Sequence, residues 1–146
     1  MRVLGIDFGD RHIGLAVSDG LRLTAQPVGT YRIKAREEDN KRYFLDLVEK
    51  YEVGEIVLGY PLRMDGSAGT RAQKTQEFAD WLKSVVGRPI ILWDERLTTR
   101  EAKNILQSQK IKRKNQKDLE DQVSAAIILS SYLEQKNYNS HGPAGH

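Results

Sequence analysis

Residues Arg2 to Asp19 read RVLGIDFGDRHIGLAVSD. Two apolar runs, Arg2 to Phe8 and Ile13 to Asp19, flank Gly9-Asp10-Arg11-His12, a short polar turn that starts with glycine. Runs of this length and content, bounded by turn residues, read as two strands of a hairpin. Leu21 to Ile33 extends the pattern through Leu23, Val28, Tyr31 and Ile33 into a third strand. Pro27 and Gly29 within it mark an edge or a bulge, because proline cannot donate to a sheet ladder.

Downstream the period changes from two to helical. Phe44, Leu47, Val48 and Tyr51 predict a helix over Arg36 to Tyr51, and Ile56-Val57-Leu58-Gly59 then reads as a short buried strand. After the loop Tyr60 to Gly69, Thr70 and Gln73 have capping-box spacing, and Ala72, Phe78, Ala79, Leu82 and Val85 form one face of a second helix. Pro89 to Trp93 supplies another buried strand, and Thr98 with Glu101 opens a further helix through Ala102, Ile105 and Leu106. A last helix, Asp118 to Gln135, carries Val123, Ala125, Ala126, Ile127, Ile128 and Leu129, so apolar surface wraps most of its circumference. Three leading antiparallel strands followed by alternating helix and strand give an α/β class: a mixed central sheet flanked by helices. A single domain over 1–136 is expected, with residues 137–146 as a flexible tail lacking periodicity.

Composition narrows the chemistry. The chain has 146 residues, 39% hydrophobic and 29% charged, which suits one globular domain with a real core. It has no cysteine, which excludes disulfide scaffolds, thiolate metal sites and a cysteine nucleophile. No basic, long-apolar, small-residue succession opens the chain, and no run approaches the roughly 18 apolar residues of a membrane span, so a cytoplasmic protein without a membrane partner is expected. The net charge of +3 is modest, but Lys110, Lys112, Arg113, Lys114 and Lys117 put five positive charges and no acid into eight residues. Such a segment is either a solvated loop ahead of an acid-rich helix start or a phosphate-binding patch.

Three carboxylates are out of place for a structural reading. Asp7 lies in the middle of Leu4-Gly5-Ile6-Asp7-Phe8-Gly9, where burial of an unpaired charge costs several kcal/mol unless a partner, hydrogen bonds or a cation compensates. Glu95 follows the buried run Ile90 to Trp93, at the carboxyl end of a parallel strand, where ligand sites of open α/β sheets gather. Asp121 sits on the line of Ala125, Ile128 and Tyr132, a largely apolar helix face. Each has a plainer alternative, a turn acid or a helix-start acid. Together they could hold Mg²⁺ or Mn²⁺ against phosphate oxygens and water.

Gly5-Ile6-Asp7-Phe8-Gly9-Asp10 with Ile13-Gly14-Leu15-Ala16-Val17-Ser18-Asp19, then Gly59-Tyr60-Pro61-Leu62-Arg63-Met64-Asp65-Gly66-Ser67, then Asp94-Glu95-Arg96-Leu97-Thr98-Thr99, and finally Asp121, Ala125-Ala126, Ile128-Leu129 and Tyr132-Leu133 stand in one order over about residues 1–135. This succession resembles the YqgF family, also called RuvX. The resemblance implies an RNase H-like fold and a metal-dependent nuclease, either a Holliday-junction resolvase acting on branched DNA or an enzyme trimming the 5′ end of pre-16S rRNA in ribosome biogenesis. It implies Asp7, Glu95 and Asp121 as catalytic metal ligands for Mg²⁺ or Mn²⁺. A non-catalytic RNA-binding or transcription-associated factor is the alternative of a different class. Arg71 and Arg96, with the basic segment, are the expected nucleic-acid contacts, Arg96 also as a guide for Glu95, because arginine offers a planar fork to phosphate or carboxylate. The expected assembly is a monomer or weak homodimer.

Overall fold

The computed structural model describes residues 1–98 and 116–141, with side chains described over 121–139 in the last helix. The order of elements is β1 (Arg2–Phe8), β2 (His12–Ser18), β3 (Ala25–Arg32), α1 (Glu37–Lys50), β4 (Val53–Tyr60), α2 (Thr70–Val86), β5 (Ile90–Asp94), a 3-10 turn (Glu95–Leu97) and α3 (Gln116–His141). The five strands form one sheet in the order β3-β2-β1-β4-β5. β1, β2 and β3 are antiparallel neighbours, whereas β4 and β5 run parallel to β1 and to each other. The ladder between β2 and β3 shifts register after Leu15, where Pro27 rather than Val28 faces Ala16; the expected edge strand and the expected bulge are thus one feature.

Strand alternation divides the core between two layers. On one face Leu4, Ile6, Ile13, Leu15, Ile56 and Leu58 pack beneath α1 and α2, meeting Phe44, Leu47, Phe78 and Leu82. On the other, Val3, Ala16, Val57 and Trp93 meet Val123, Ala125, Ala126, Ile128, Leu129 and Tyr132 of α3. Each large aliphatic or aromatic side chain so buried contributes roughly 1.5–3 kcal/mol. Glycines set how close α3 can come. A Cβ on Gly5 would stand 2.7 Å from Leu129 Cβ, and one on Gly59 would stand 2.5 Å from Ile128 Cδ1.

Three local expectations are corrected. Thr70 is the first helical residue of α2 rather than its cap: Gly69 is the N-cap, without a side-chain cap bond, and the Gly69 carbonyl accepts from the Gln73 amide at 3.1 Å. The last helix starts at Gln116 and continues to His141, so Lys117 is helical and residues 137–141 are not tail. Asn137 explains the extension in part, its Nδ2 donating to the Arg22 carbonyl at 3.2 Å. The helix expected after Thr98 and the basic residues Lys110, Lys112, Arg113 and Lys114 lie outside the described residues.

Candidate active site

β1 decides where the first acid goes. Residues 3 and 5 face α3, so Asp7 points to the same side, at the carboxyl end of the strand and opposite Gly14 of β2. Glu95 comes immediately after β5, in the 3-10 turn, and its side chain folds back over β4. A Cβ on Gly59 would be 3.2 Å from both Glu95 Cγ and Cδ, so a larger residue there would make the glutamate give way by a few tenths of an ångström. Asp121 arrives from the other layer. A Cβ on Gly14 would run into the Asp121 carbonyl, which puts that turn of α3 directly on the strand that pairs with Asp7.

The acids consequently feel one another. Asp7 is pushed from 3.8 up to about 7, chiefly by burial and then by the negative charges of Glu95 and Asp121, while the positive charge of Arg71 pulls the other way. The three acids singled out in the sequence are thus near enough at one end of the sheet for their charges to act on Asp7, with Arg71 at the start of α2 within electrostatic reach. They do not close into a cage: among the described residues no group of three His, Cys, Asp or Glu side chains is arranged to hold a metal ion. The donor chemistry nevertheless suits one. Three carboxylates, one of them costly to ionise, make an all-oxygen set of the kind that hard divalent cations select.

Arg96 pairs with the acid that caps its own turn. Its Nε donates to Asp94 Oδ1 and Oδ2 at 3.0 and 3.1 Å, and its Nη2 to Oδ2 at 2.7 Å. That hydrogen-bonded guanidinium, more than any other influence, holds the Asp94 carboxyl below the usual carboxylate range. Arg96 Nη1 also reaches the Met64 carbonyl at 3.5 Å, a long contact between the 3-10 turn and the loop between β4 and α2. Arg96 therefore ties the residue before Glu95 to the loop between β4 and α2.

Sequence reasoning did not assign Gly14 or Gly59 a role. Glycines inside strands signal a close approach by another backbone or ligand, and that signal was available.

The strand order and the two-layer packing are those of the RNase H-like fold. The RuvC structure from Thermus thermophilus covers 93% of this chain and 97% of its own, with a TM-score of 0.58 at 14% identity. The yeast mitochondrial Holliday junction resolvase covers 97% and 81%, with a TM-score of 0.53 at 14% identity. These likenesses establish the fold. The model of the RuvX family, described as "Holliday junction resolvase", matches residues 1–135, and the chain belongs to that family. A relative from Halothermothrix orenii is 46% identical over 94% of this chain and 97% of its own length, and one from Dictyoglomus thermophilum is 45% identical over 96% and 100%. Both carry the name "Putative pre-16S rRNA nuclease". The class is that of a nuclease, a hydrolase acting on nucleic acids.

Proposed function

We propose that the chain is a divalent-metal-dependent endonuclease that trims the 5′ end of 16S rRNA precursors in the cytoplasm, as a monomer or weak homodimer. The observation that carries this reading is the convergence of Asp7, Glu95 and Asp121, expressed in the elevated Asp7 pKa, at the carboxyl end of β1 and β5. A pure binding protein has no use for a buried carboxylate that resists ionisation. The names of the relatives support the RNA substrate.

In this reading Asp7, Glu95 and Asp121 hold Mg²⁺ or Mn²⁺, which when bound would activate water and neutralise charge developing on the phosphate. The chain's own residues do the remaining work. Arg71 meets a phosphate beside Asp7 and supplies positive charge where the strand must lie against three acids. Gly59 keeps room for Glu95, and the Asp94–Arg96 pair fixes the backbone from which Glu95 projects. Lys110, Lys112, Arg113, Lys114 and Lys117 supply attraction to the phosphate backbone without regard to base sequence.

A second reading, cleavage of branched DNA, is favoured by the family description and the RuvC-like fold. It would need two active sites and hence a dimer. The two are separated by incubating the purified protein with a pre-16S rRNA fragment and with a four-way DNA junction, with and without Mn²⁺ or Mg²⁺. Metal-dependent shortening of the RNA, with the junction intact, is expected. Cleavage of the junction alone selects the second reading, and cleavage of neither overturns both.

A further inference from the structure

On the sheet face opposite the three acids, a cleft of about 540 Å³ opens between the carboxyl end of β1, the hairpin strands and helices α1 and α2. Its described lining includes none of the acids. Phe8 and Phe78 stack there with ring centroids 4.4 Å apart and 20° between planes, and Phe78 continues onto Trp81 at 5.8 Å and 29°. Three near-parallel rings thus end on a half-buried tryptophan, and Tyr31 closes another wall. Trp81 is held by its Nε1 donating to Glu37 Oε1 at 2.9 Å across the gap between the helices.

The cleft is joined to the acids by chain geometry. Asp7 and Phe8 are consecutive on β1, so one points to the acid site and the other into the cleft, at the same end of the sheet. Arg71 and Lys74 are one helical turn apart on α2. The first is close enough to lower the Asp7 pKa, and the second lines the cleft, with its Nζ 3.7 Å from Asp10 Oδ1. The two cations mark a path for a phosphate backbone from Asp7 to the cleft mouth. The mouth itself carries the carboxylates of Asp10, Glu37 and Glu77, which repel a phosphate but accept hydrogen bonds from an amine.

We infer that this cleft receives one unpaired, amino-bearing nucleobase of the substrate strand, stacked on the Trp81 end of the ring series, with the backbone running from Asp7 past Arg71 and Lys74 to the cleft mouth. The inference rests on the nuclease reading. Its volume falls within the roughly 300–1,000 Å³ of small-molecule sites, and aromatic platforms are a general means of holding unstacked RNA bases. Stacking tolerates any base, so the carboxylate rim would supply the preference for adenine, cytosine or guanine over uracil.

The test uses single-stranded RNA substrates carrying one abasic residue, walked across the positions flanking the cleaved bond, with Mn²⁺ present. At one position the abasic residue should lower kcat/KM about tenfold for the wild-type protein. Trp81→Ala should lower kcat/KM for the intact RNA by a similar factor and erase the abasic effect, since both changes remove the same contact. Glu77→Gln, at an exposed position on the cleft lining, should narrow the difference between amino-bearing bases and uracil there. Equal cleavage of all abasic substrates, an unchanged abasic ratio in Trp81→Ala, or an effect of that variant only on oligomeric state would overturn the inference. If the wild-type protein cleaves nothing, the nuclease reading fails first. The cleft is then judged by binding: RNA added in EDTA should quench tryptophan fluorescence in the wild type and not in Trp81→Phe, and absence of quenching overturns it.

Discussion

The carbonyl of Asp121 lies against Gly14, in space that a single methyl group would occupy. α3 therefore rests on β2 through bare backbone, at the level where β2 pairs with Asp7. Gly14→Ala must push the helix away or distort the strand, and it acts on a candidate catalytic residue without touching a titratable group. The variant should lose roughly 1–3 kcal/mol of stability, as overpacked sites do. Its kcat should fall by more than tenfold. Calorimetry and a cleavage assay on the soluble variant check both, and wild-type kcat would show that Asp121 need not stand where it does.

Asp7→Asn should abolish cleavage and make stability less dependent on pH. Because the folded pKa of Asp7 is raised from 3.8 to about 7, its neutral form is the one the native state favours. The stability linked to that proton is complete below about pH 4 and is lost as pH climbs through 7. The variant should therefore match the wild type in acid and exceed it at pH 8, by a few kcal/mol at most, since each pKa unit is worth about 1.4 kcal/mol. Mn²⁺ should raise the wild-type melting temperature at pH 8 more than that of the variant. Equal melting temperatures at pH 8 without metal would contradict the burial-driven shift.

Asp121 and Asp118 are one turn apart on α3, and three residues of helix rotate the side chain by about 300°. Asp121 shares its line with the buried Ala125, Ile128 and Tyr132 and raises the Asp7 pKa. Asp121→Asn should lose cleavage and weaken Mn²⁺ binding, with Asp118→Asn within a few-fold of wild type in both. Equal losses in a side-by-side titration and rate measurement would remove Asp121 from its assigned place.

Neutralising Lys112, Arg113 and Lys114 should weaken binding to every nucleic acid tested and flatten its salt dependence. Each lost phosphate contact should reduce the slope of log K against log salt by about 0.9 on duplex DNA or about 0.7 on single strands. An unchanged slope would make the segment ordinary solvated surface.

The strands of the hairpin, the edge position of β3 and the helical crossovers were legible because each rests on local alternation or on a proline that cannot donate. Asp7 and Asp121 were legible as carboxylates within apolar patterns and Glu95 as an acid at a strand's carboxyl end, and their mutual influence on the Asp7 pKa is what the structure adds. What stayed hidden depends on who meets whom across the chain. Thr70 and Gln73 have the spacing of a capping box, but Gly69 takes the cap position and Thr70 enters the helix. Arg96 offered a fork that could suit phosphate or Glu95, and only the turn of the backbone hands it to Asp94. The cleft was invisible for the same reason, since Phe8 reads as the end of a strand, Phe78 as part of a helix face, and nothing in their spacing brings either to Trp81.

α3 is tethered at the end remote from Asp121. Tyr132 donates to Glu55 Oε2 at 3.1 Å, Glu55 pairs with Arg22 at 3.2 Å, and Asn137 holds the Arg22 carbonyl. Sixteen residue steps take α3 from Asp121 to Asn137, about 24 Å at 1.5 Å per residue. The helix is thus a measuring rod whose zero lies among Arg22, Glu55 and Asn137, on the far side of the molecule from the acids. A residue added or removed between those anchors and Asp121 would turn the carboxylate by about 100° and slide it by 1.5 Å, without altering any atom of the site itself.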